Sequence, residues 1–307
     1  MNAGRKVLFI VGPTSVGKTA FSVRLAKRID GEIISSDSMQ AYRYMDILSQ
    51  KPTDKERGEV PHYLIDFLDP TEEYSAARFA EEARRCIEEI IDRGKMPIIV
   101  GGSGLYVRAL VEGLFPAPKK DARLREGLEE EAARCGPEFL HDRLKEADPE
   151  TASKIHPNDT RRVVRALEII SMTGIPVSEH KKNTSGIMGL FDIRIYGLAR
   201  NREGLNAAIG ERVDKMFSEG LVEEVKILKR KTPGLTAGSS IGYKEVVGYI
   251  DGKYALEEAK ELLNKNTRRL VKKQMTWFRA DKSIKWIDRD NMSDEAALEF
   301  IEKDIKI

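Results

Sequence analysis

The hydrophobic residues in the first third of the chain form short unbroken runs. Lys6–Val11 (KVLFIV), Glu32–Ser35 (EIIS) and Pro97–Val100 (PIIV) are apolar and rich in β-branched residues, with no alternation. Tyr63–Phe67 is a further candidate strand. Between these runs the apolar spacing becomes helical. It does so over Ala20–Ile29 and over Ser75–Arg93, where Ala76, Phe79, Ala83, Ile87 and Ile90 share a face. Ser75 suits the N-cap and Gly94 the stop. Strands buried on both faces and separated by helices predict an α/β fold with a parallel sheet covered on both sides.

The pattern changes at Pro116-Ala-Pro118-Lys-Lys120, a proline and lysine stretch that marks a boundary. Arg123–Arg134, Glu138–Ala147 and Asp159–Met172 read as charged helices, the last ended by Gly174 and Pro176. Nothing between Asp121 and Gly189 reads as a strand. Phe191–Leu198 (FDIRIYGL) then returns to strand character, and helices follow over Leu205–Ser218, Val222–Lys229 and Tyr254–Leu263. The expected division is a core domain of residues 1–118 and 190–307, with an all-helical insertion over 119–189.

The first strand leads directly into Gly12-Pro13-Thr14-Ser15-Val16-Gly17-Lys18-Thr19 and then a helix. This G-x-x-x-x-G-K-[ST] arrangement is a P-loop. Backbone N–H groups at a helix N-terminus wrap phosphate oxygens, and the glycines permit close approach. Lys18 adds a mobile charge, and Thr19 a hydroxyl for phosphate or Mg²⁺. The motif specifies a phosphate grip and leaves open whether the compound is a nucleotide such as ATP. Asp37 follows the second strand, and Gly101-Gly-Ser103-Gly104 follows the third. Loops at the carboxyl ends of parallel strands line the binding crevice, so both should face the P-loop. A carboxylate there can hold Mg²⁺ through water or take a proton from a nucleophile; it can equally be an Asx-turn.

The 307 residues are 41% hydrophobic and 33% charged, enough for one large core or two smaller ones. With 52 basic and 50 acidic residues the net charge is only +2, so its distribution matters more than its total. Arg161, Arg162 and Arg165 lie close together on one predicted helix. Arg200, Arg202 and Arg212 follow the returning strand, from which one or two are expected to reach the phosphates. A third cluster, from Lys265 to Lys282, has Trp277 and Phe278 embedded in it. Basic patches with interleaved aromatics suit nucleic acid. Two cysteines and four scattered histidines exclude a disulfide framework and show no metal-ligand spacing. With no apolar stretch of membrane-spanning length and no leader pattern in MNAGRK, the expectation is a cytoplasmic protein.

Taken together, these motifs resemble the bacterial tRNA dimethylallyltransferases, also called isopentenylpyrophosphate:tRNA transferases. The resemblance extends over almost the whole chain. It rests on the P-loop, Ser35-Ser-Asp37-Ser38-Met39-Gln40-Ala-Tyr-Arg43, Gly101–Tyr106, His156–Arg162 with Arg165–Glu168, and Ile241–Glu245. It implies that residues 12–19 hold the diphosphate of dimethylallyl diphosphate, with Mg²⁺ at Thr19, and that the acceptor is N6 of the adenosine 3′ of the anticodon. Asp37, Thr19, Ser103 and Arg202 would be catalytic, with Arg202 on the diphosphate. Asp37 to Gln40, Ser103, Arg125 and Arg161, Arg162, Val163, Val164 and Arg165 would touch tRNA, and the protein would act as a monomer. A metabolite kinase remains the alternative reading of the P-loop, Asp37 and the crevice arginines.

Overall fold

The structure, a computed structural model, describes residues 5–181 and 184–306; the leader reading of MNAGRK falls partly outside them, on residues 1–4. A 6-stranded sheet has the order β3-β2-β4-β1-β5-β6. Its strands are β1 (Lys6–Val11), β2 (Gly31–Ser35), β3 (His62–Tyr63), β4 (Met96–Gly101), β5 (Asp192–Ala199) and β6 (Lys285–Asp288). Every pairing is parallel, and helices cover both faces, as an α/β P-loop fold requires. Successive side chains of β1 point to opposite faces. Val7, Phe9 and Val11 enter one core with Phe79, Ala83 and Ile87 of the Ala76–Asp92 helix. Leu8 and Ile10 enter the other with Phe21 and Leu25 of the Lys18–Ile29 helix and Leu298 and Ile301 of the Asp294–Lys306 helix. Each such side chain, fully buried, contributes about 1.5–3 kcal/mol.

The register decides where chemistry can occur. Val11 lies opposite Gly101 and Gly197, and Ser35 opposite Val100. The loops after β1, β2 and β4 therefore leave the carboxyl edge at one level.

Several elements differ from the sequence expectation. Tyr63–Phe67 is not a strand; β3 ends at Tyr63 because Leu64 and Asp66 take left-handed φ values of 61° and 59°. β6 has only Ile287 buried, too little apolar character to announce a strand. The basic stretch and the segment before it form one helix, Leu256–Arg279. Phe278 on that helix is a core residue at 3% exposure, so of the two embedded aromatics only Trp277 reaches the surface.

The chain divides into two compact units, residues 1–111 with 187–307, and residues 112–186. The boundaries fall where Ile187 and Met188 donate backbone hydrogen bonds to Leu110 and Val111. The second unit contains no strand among its described residues. Its core includes Leu140, Leu144, Val163, Val164 and Leu167. Beside that core, Glu168 is fully buried. It accepts hydrogen bonds at 2.7 Å from the Asp121 N–H, Arg125 Nη2 and Arg165 Nη1. Burial alone would raise its pKa, but these donors outweigh burial and hold the carboxyl below its usual value.

Glu168→Ala should therefore destabilise the helical unit by roughly 2–4 kcal/mol, somewhat less than a fully enclosed pair because the two arginines keep some water. Because the folded pKa is depressed, the wild-type advantage is complete above about pH 4.5 and is lost as the pH falls further. Urea unfolding of both proteins at pH 7 and pH 3.5 checks this: the gap between them should shrink at the lower pH.

Candidate active site

The P-loop holds its shape through positions that only particular residues tolerate. Gly12 has φ +146°, and a Cβ there would lie 2.6 Å from the Leu198 carbonyl oxygen. Gly17, at φ 88°, is the N-cap of the Lys18–Ile29 helix. Val16 fixes the loop from below, its side chain 2% exposed in the core. Lys18 curls back, and its Nζ donates to the Pro13 carbonyl at 2.7 Å. The Ser15 and Ser22 hydroxyls are buried with no hydrogen-bond partner. Both line the cavity in front of the loop.

Two neighbouring elements close on the loop. The Thr14 N–H donates to Gln274 Oε1 at 2.9 Å, and the Thr14 hydroxyl accepts from Arg212 Nη1 at 2.7 Å. The Gly101-Gly102 turn packs so tightly that a Cβ on Gly101 would meet Ser36 Oγ at 2.2 Å. One on Gly102 would meet Gln274 Nε2 at 2.4 Å.

Two cavities open here. The first, about 570 Å³, is lined by Thr14, Ser15, Lys18 and Thr19 of the P-loop region, with Arg212 and Lys215. The second, about 270 Å³, is lined by Met39, Leu48, Val213, Met216, Ile241 and Leu263, together with Ser103. Asp37, Thr14, Gly102, Arg212 and Gln274 line both. Asp37 stands at the junction and also forms the Asx-turn, Oδ1 accepting from the Met39 N–H at 2.9 Å. Gln40 is engaged internally, accepting from Ser35 Oγ at 2.8 Å and donating to the Gln50 carbonyl at 3.2 Å. Ser38 and Met39 line the second cavity.

Burial lowers the pKa of Lys18 from 10.5 to about 8; Asp37 opposes this shift and Arg212 adds to it. Burial likewise lowers the pKa of Arg212, again opposed by Asp37. Two poorly hydrated cations thus face a single carboxylate, an arrangement that favours a further anion.

The arginine brought to Lys18 is Arg212 rather than Arg202. Arg202 is the first residue of the Arg202–Ser218 helix, is exposed, and lines neither cavity. Ala208, Glu211, Arg212 and Lys215 form the face of that helix that reaches the first cavity. Their helical spacing was the available signal. Gln274 was also missed. It continues the inward stripe Ala259, Leu263 and Thr267 of its own helix, and the surrounding lysines obscure it.

In the helical unit, Val163 and Val164 are buried at 0% and 1%, so their side chains cannot present a surface to RNA. Arg125 and Arg165 are committed to Glu168, and Arg165 also donates to the Pro118 carbonyl at 2.8 Å. Arg161 and Arg162 are exposed; Arg162 pairs with Asp159 at 3.1 Å.

The family model described as IPP transferase matches residues 40–281. The chain belongs to the IPP transferase family. Among its relatives, the tRNA dimethylallyltransferase of Carboxydothermus hydrogenoformans is 47% identical over 298 residues, 96% of each chain. That of Geobacter sulfurreducens is 46% identical over 285 residues, 92% of each. The full-length tRNA isopentenylpyrophosphate transferase of Bacillus halodurans superimposes with a TM-score of 0.72 at 42% identity, covering 98% of this chain and 97% of that one. A eukaryotic dimethylallyltransferase solved acting on tRNA gives 0.83 at 31% identity, over 98% of this chain and 80% of that one.

A diphosphate entering the first cavity should restore the Lys18 charge. Above pH 8, where the free protein has begun to release this proton, binding of inorganic diphosphate should take up close to one additional proton relative to Lys18→Met. Calorimetry at pH 9 in buffers of different ionisation enthalpy checks this. Equal proton uptake by the two proteins would contradict the assignment.

Proposed function

We propose that this chain transfers the dimethylallyl group of dimethylallyl diphosphate to N6 of adenosine 37, just 3′ of the tRNA anticodon, releasing diphosphate. The observation that carries this reading is Asp37 at the junction of a cationic cavity and an apolar one, in a chain of the IPP transferase family.

The P-loop amides, Lys18 and Arg212 hold the diphosphate. Their charge stabilises the leaving group as the allylic C–O bond lengthens. The Thr19 hydroxyl and Asp37 line the same cavity. Among the described residues no cluster of three or more acidic, histidine or cysteine side chains could hold a metal alone. The Thr19 hydroxyl and the Asp37 carboxylate are oxygen donors that would suit Mg²⁺, and the unpartnered Ser15 hydroxyl in the same cavity suits a phosphate oxygen. When bound, the ion supplies further neutralisation of the diphosphate.

The apolar walls of the second cavity suit the branched prenyl tail and the flat face of a purine ring. A base in a single-stranded loop reaches such a site by leaving its stack, at lower cost than from a duplex. Asp37 orients the N6 amine and accepts its proton as the C–N bond forms. Ser103, which lines the second cavity, supports the tRNA there. Arg161 and Arg162, with the exposed Lys265, Arg268, Arg269, Lys272 and Lys273, supply charge for the RNA backbone. tRNA as substrate also makes the cytoplasm the working compartment.

Incubation of unmodified tRNA with labelled dimethylallyl diphosphate and Mg²⁺, followed by nucleoside analysis, should yield N6-dimethylallyladenosine. ATP turnover without transfer would favour a kinase instead. Asp37→Ala should slow single-turnover transfer about 10²–10⁴-fold while tRNA affinity changes little. Arg212→Ala should impair use of dimethylallyl diphosphate, and Arg202→Ala should not.

Replacing Arg161 and Arg162 together should reduce the magnitude of the log–log salt slope of tRNA binding by roughly 0.7–1 per lost phosphate contact. Melting temperature should stay near wild type, since both side chains are exposed. Arg165→Ala should do the reverse, lowering melting temperature through Glu168. An unchanged slope in the double variant would remove this helix from the RNA interface.

A further inference from the structure

Gln274 occupies a position that bracing the P-loop alone does not explain. Its Oε1 accepts from the Thr14 N–H at 2.9 Å. A backbone N–H only donates, so this bond fixes which end of the carboxamide is oxygen and which is nitrogen. The Nε2 end lies against Gly102, 2.4 Å from where a Cβ would stand. The absence of a side chain at Gly102 leaves room for the amide in this position. Among the described residues Nε2 has no acceptor, and Gln274 lines both cavities together with Asp37. The junction therefore offers an acceptor, the Asp37 carboxylate, and an oriented donor, the Gln274 amide nitrogen.

That pair matches the chemistry of an aminated base. Adenine presents N6–H₂ as a donor, flanked by the ring acceptors N1 and N7. Guanine carries an oxo group at the equivalent carbon, with N1–H beside it. It would set oxygen against the carboxylate, and on its N1 side N–H against N–H. Uracil fails similarly with its O4 and N3–H. Cytosine shares the donor–acceptor order of adenine but has a single ring, so cavity size must separate those two.

We propose that Gln274 determines base specificity by donating from Nε2 to the ring nitrogen beside the adenine amino group, while Asp37 accepts from that amine. The assignment rests on the transferase reading given above. It adds a recognition role to a residue whose other end stabilises the phosphate loop. One side chain then connects the diphosphate grip to the base being modified.

The test is a cycle between protein and RNA variants. Anticodon hairpins carry adenosine, 1-deazaadenosine or 7-deazaadenosine at the target position, and single-turnover transfer from dimethylallyl diphosphate is measured with wild type and Gln274→Met. One of the two deaza hairpins should cost wild type about 10-fold in rate, the scale of one buried hydrogen bond. Gln274→Met should be slower on adenosine and indifferent to that same deaza change, and the sensitive hairpin tells N1 from N7. Losses that simply multiply for both deaza hairpins would overturn the proposal and leave Gln274 as a loop brace. So would a variant whose only defect is a raised KM for dimethylallyl diphosphate. If Gln274→Met does not melt cooperatively, Gln274→Asn, shorter by one methylene, repeats the cycle. Failure of wild type to prenylate the adenosine hairpin would instead defeat the transferase reading, and this proposal with it.

Discussion

The interaction on which the site depends is an electrostatic imbalance. Lys18 and Arg212 both lose hydration in one crevice, and Asp37 opposes the resulting pKa shifts in both. In water such a pair of cations would cost little; here each is held in place by the fold. Lys18 is fixed by its bond to the Pro13 carbonyl, and Arg212 by its bond to the Thr14 hydroxyl. The sheet register that aligns Val11 with Gly101 brings the loops that hold these groups to one level. The glycines at 12 and 101 let their backbones approach more closely than any Cβ would allow. The result is a site that costs stability when empty of anions and is complementary to a polyanion.

A phosphate-binding loop alone is common to many folds. The adjoining cavity makes this one specific. Asp37 belongs to both compartments, so the carboxylate that balances the cations is also placed to meet an acceptor in an apolar enclosure. The helical unit follows a different logic. Its buried Glu168 binds two arginines that on sequence alone resembled RNA ligands, whereas Arg161 and Arg162 lie on the solvent face, the latter paired with Asp159. Within one basic helix, part of the charge maintains the fold and part remains available for partners.

Features encoded by contiguous residues were legible in the sequence. The unbroken apolar runs gave β1, β2 and β4, the alternating FDIRIYGL segment gave β5, and the P-loop with Asp37 and Gly101–Gly104 located the crevice. Features set by tertiary contact were not. Arg202 follows β5 more closely in sequence than Arg212 does, but helix geometry turns residues 208, 211, 212 and 215 toward the cavity and leaves Arg202 outside. Gln274 lies among lysines and acquires meaning only when the helix brings it to Thr14. Val163 and Val164 sit between arginines, yet the helix turns them into the core. Leu64 and Asp66 end β3 through backbone conformation that their side chains do not announce.

The most direct measurement compares the urea-unfolding stability of wild type and Lys18→Met at pH 7, each with and without dimethylallyl diphosphate. The Lys18 pKa is lowered from 10.5 to about 8 on folding, so below pH 8 the buried charge opposes folding, and the cost is relieved only as pH rises toward 10.5. Partial exposure of the side chain reduces the penalty to roughly 1–3 kcal/mol. If the imbalance is the basis of the site, Lys18→Met is the more stable protein without ligand and gains little from dimethylallyl diphosphate, whereas wild type gains strongly. A less stable Lys18→Met that keeps the full ligand-induced gain would contradict the account.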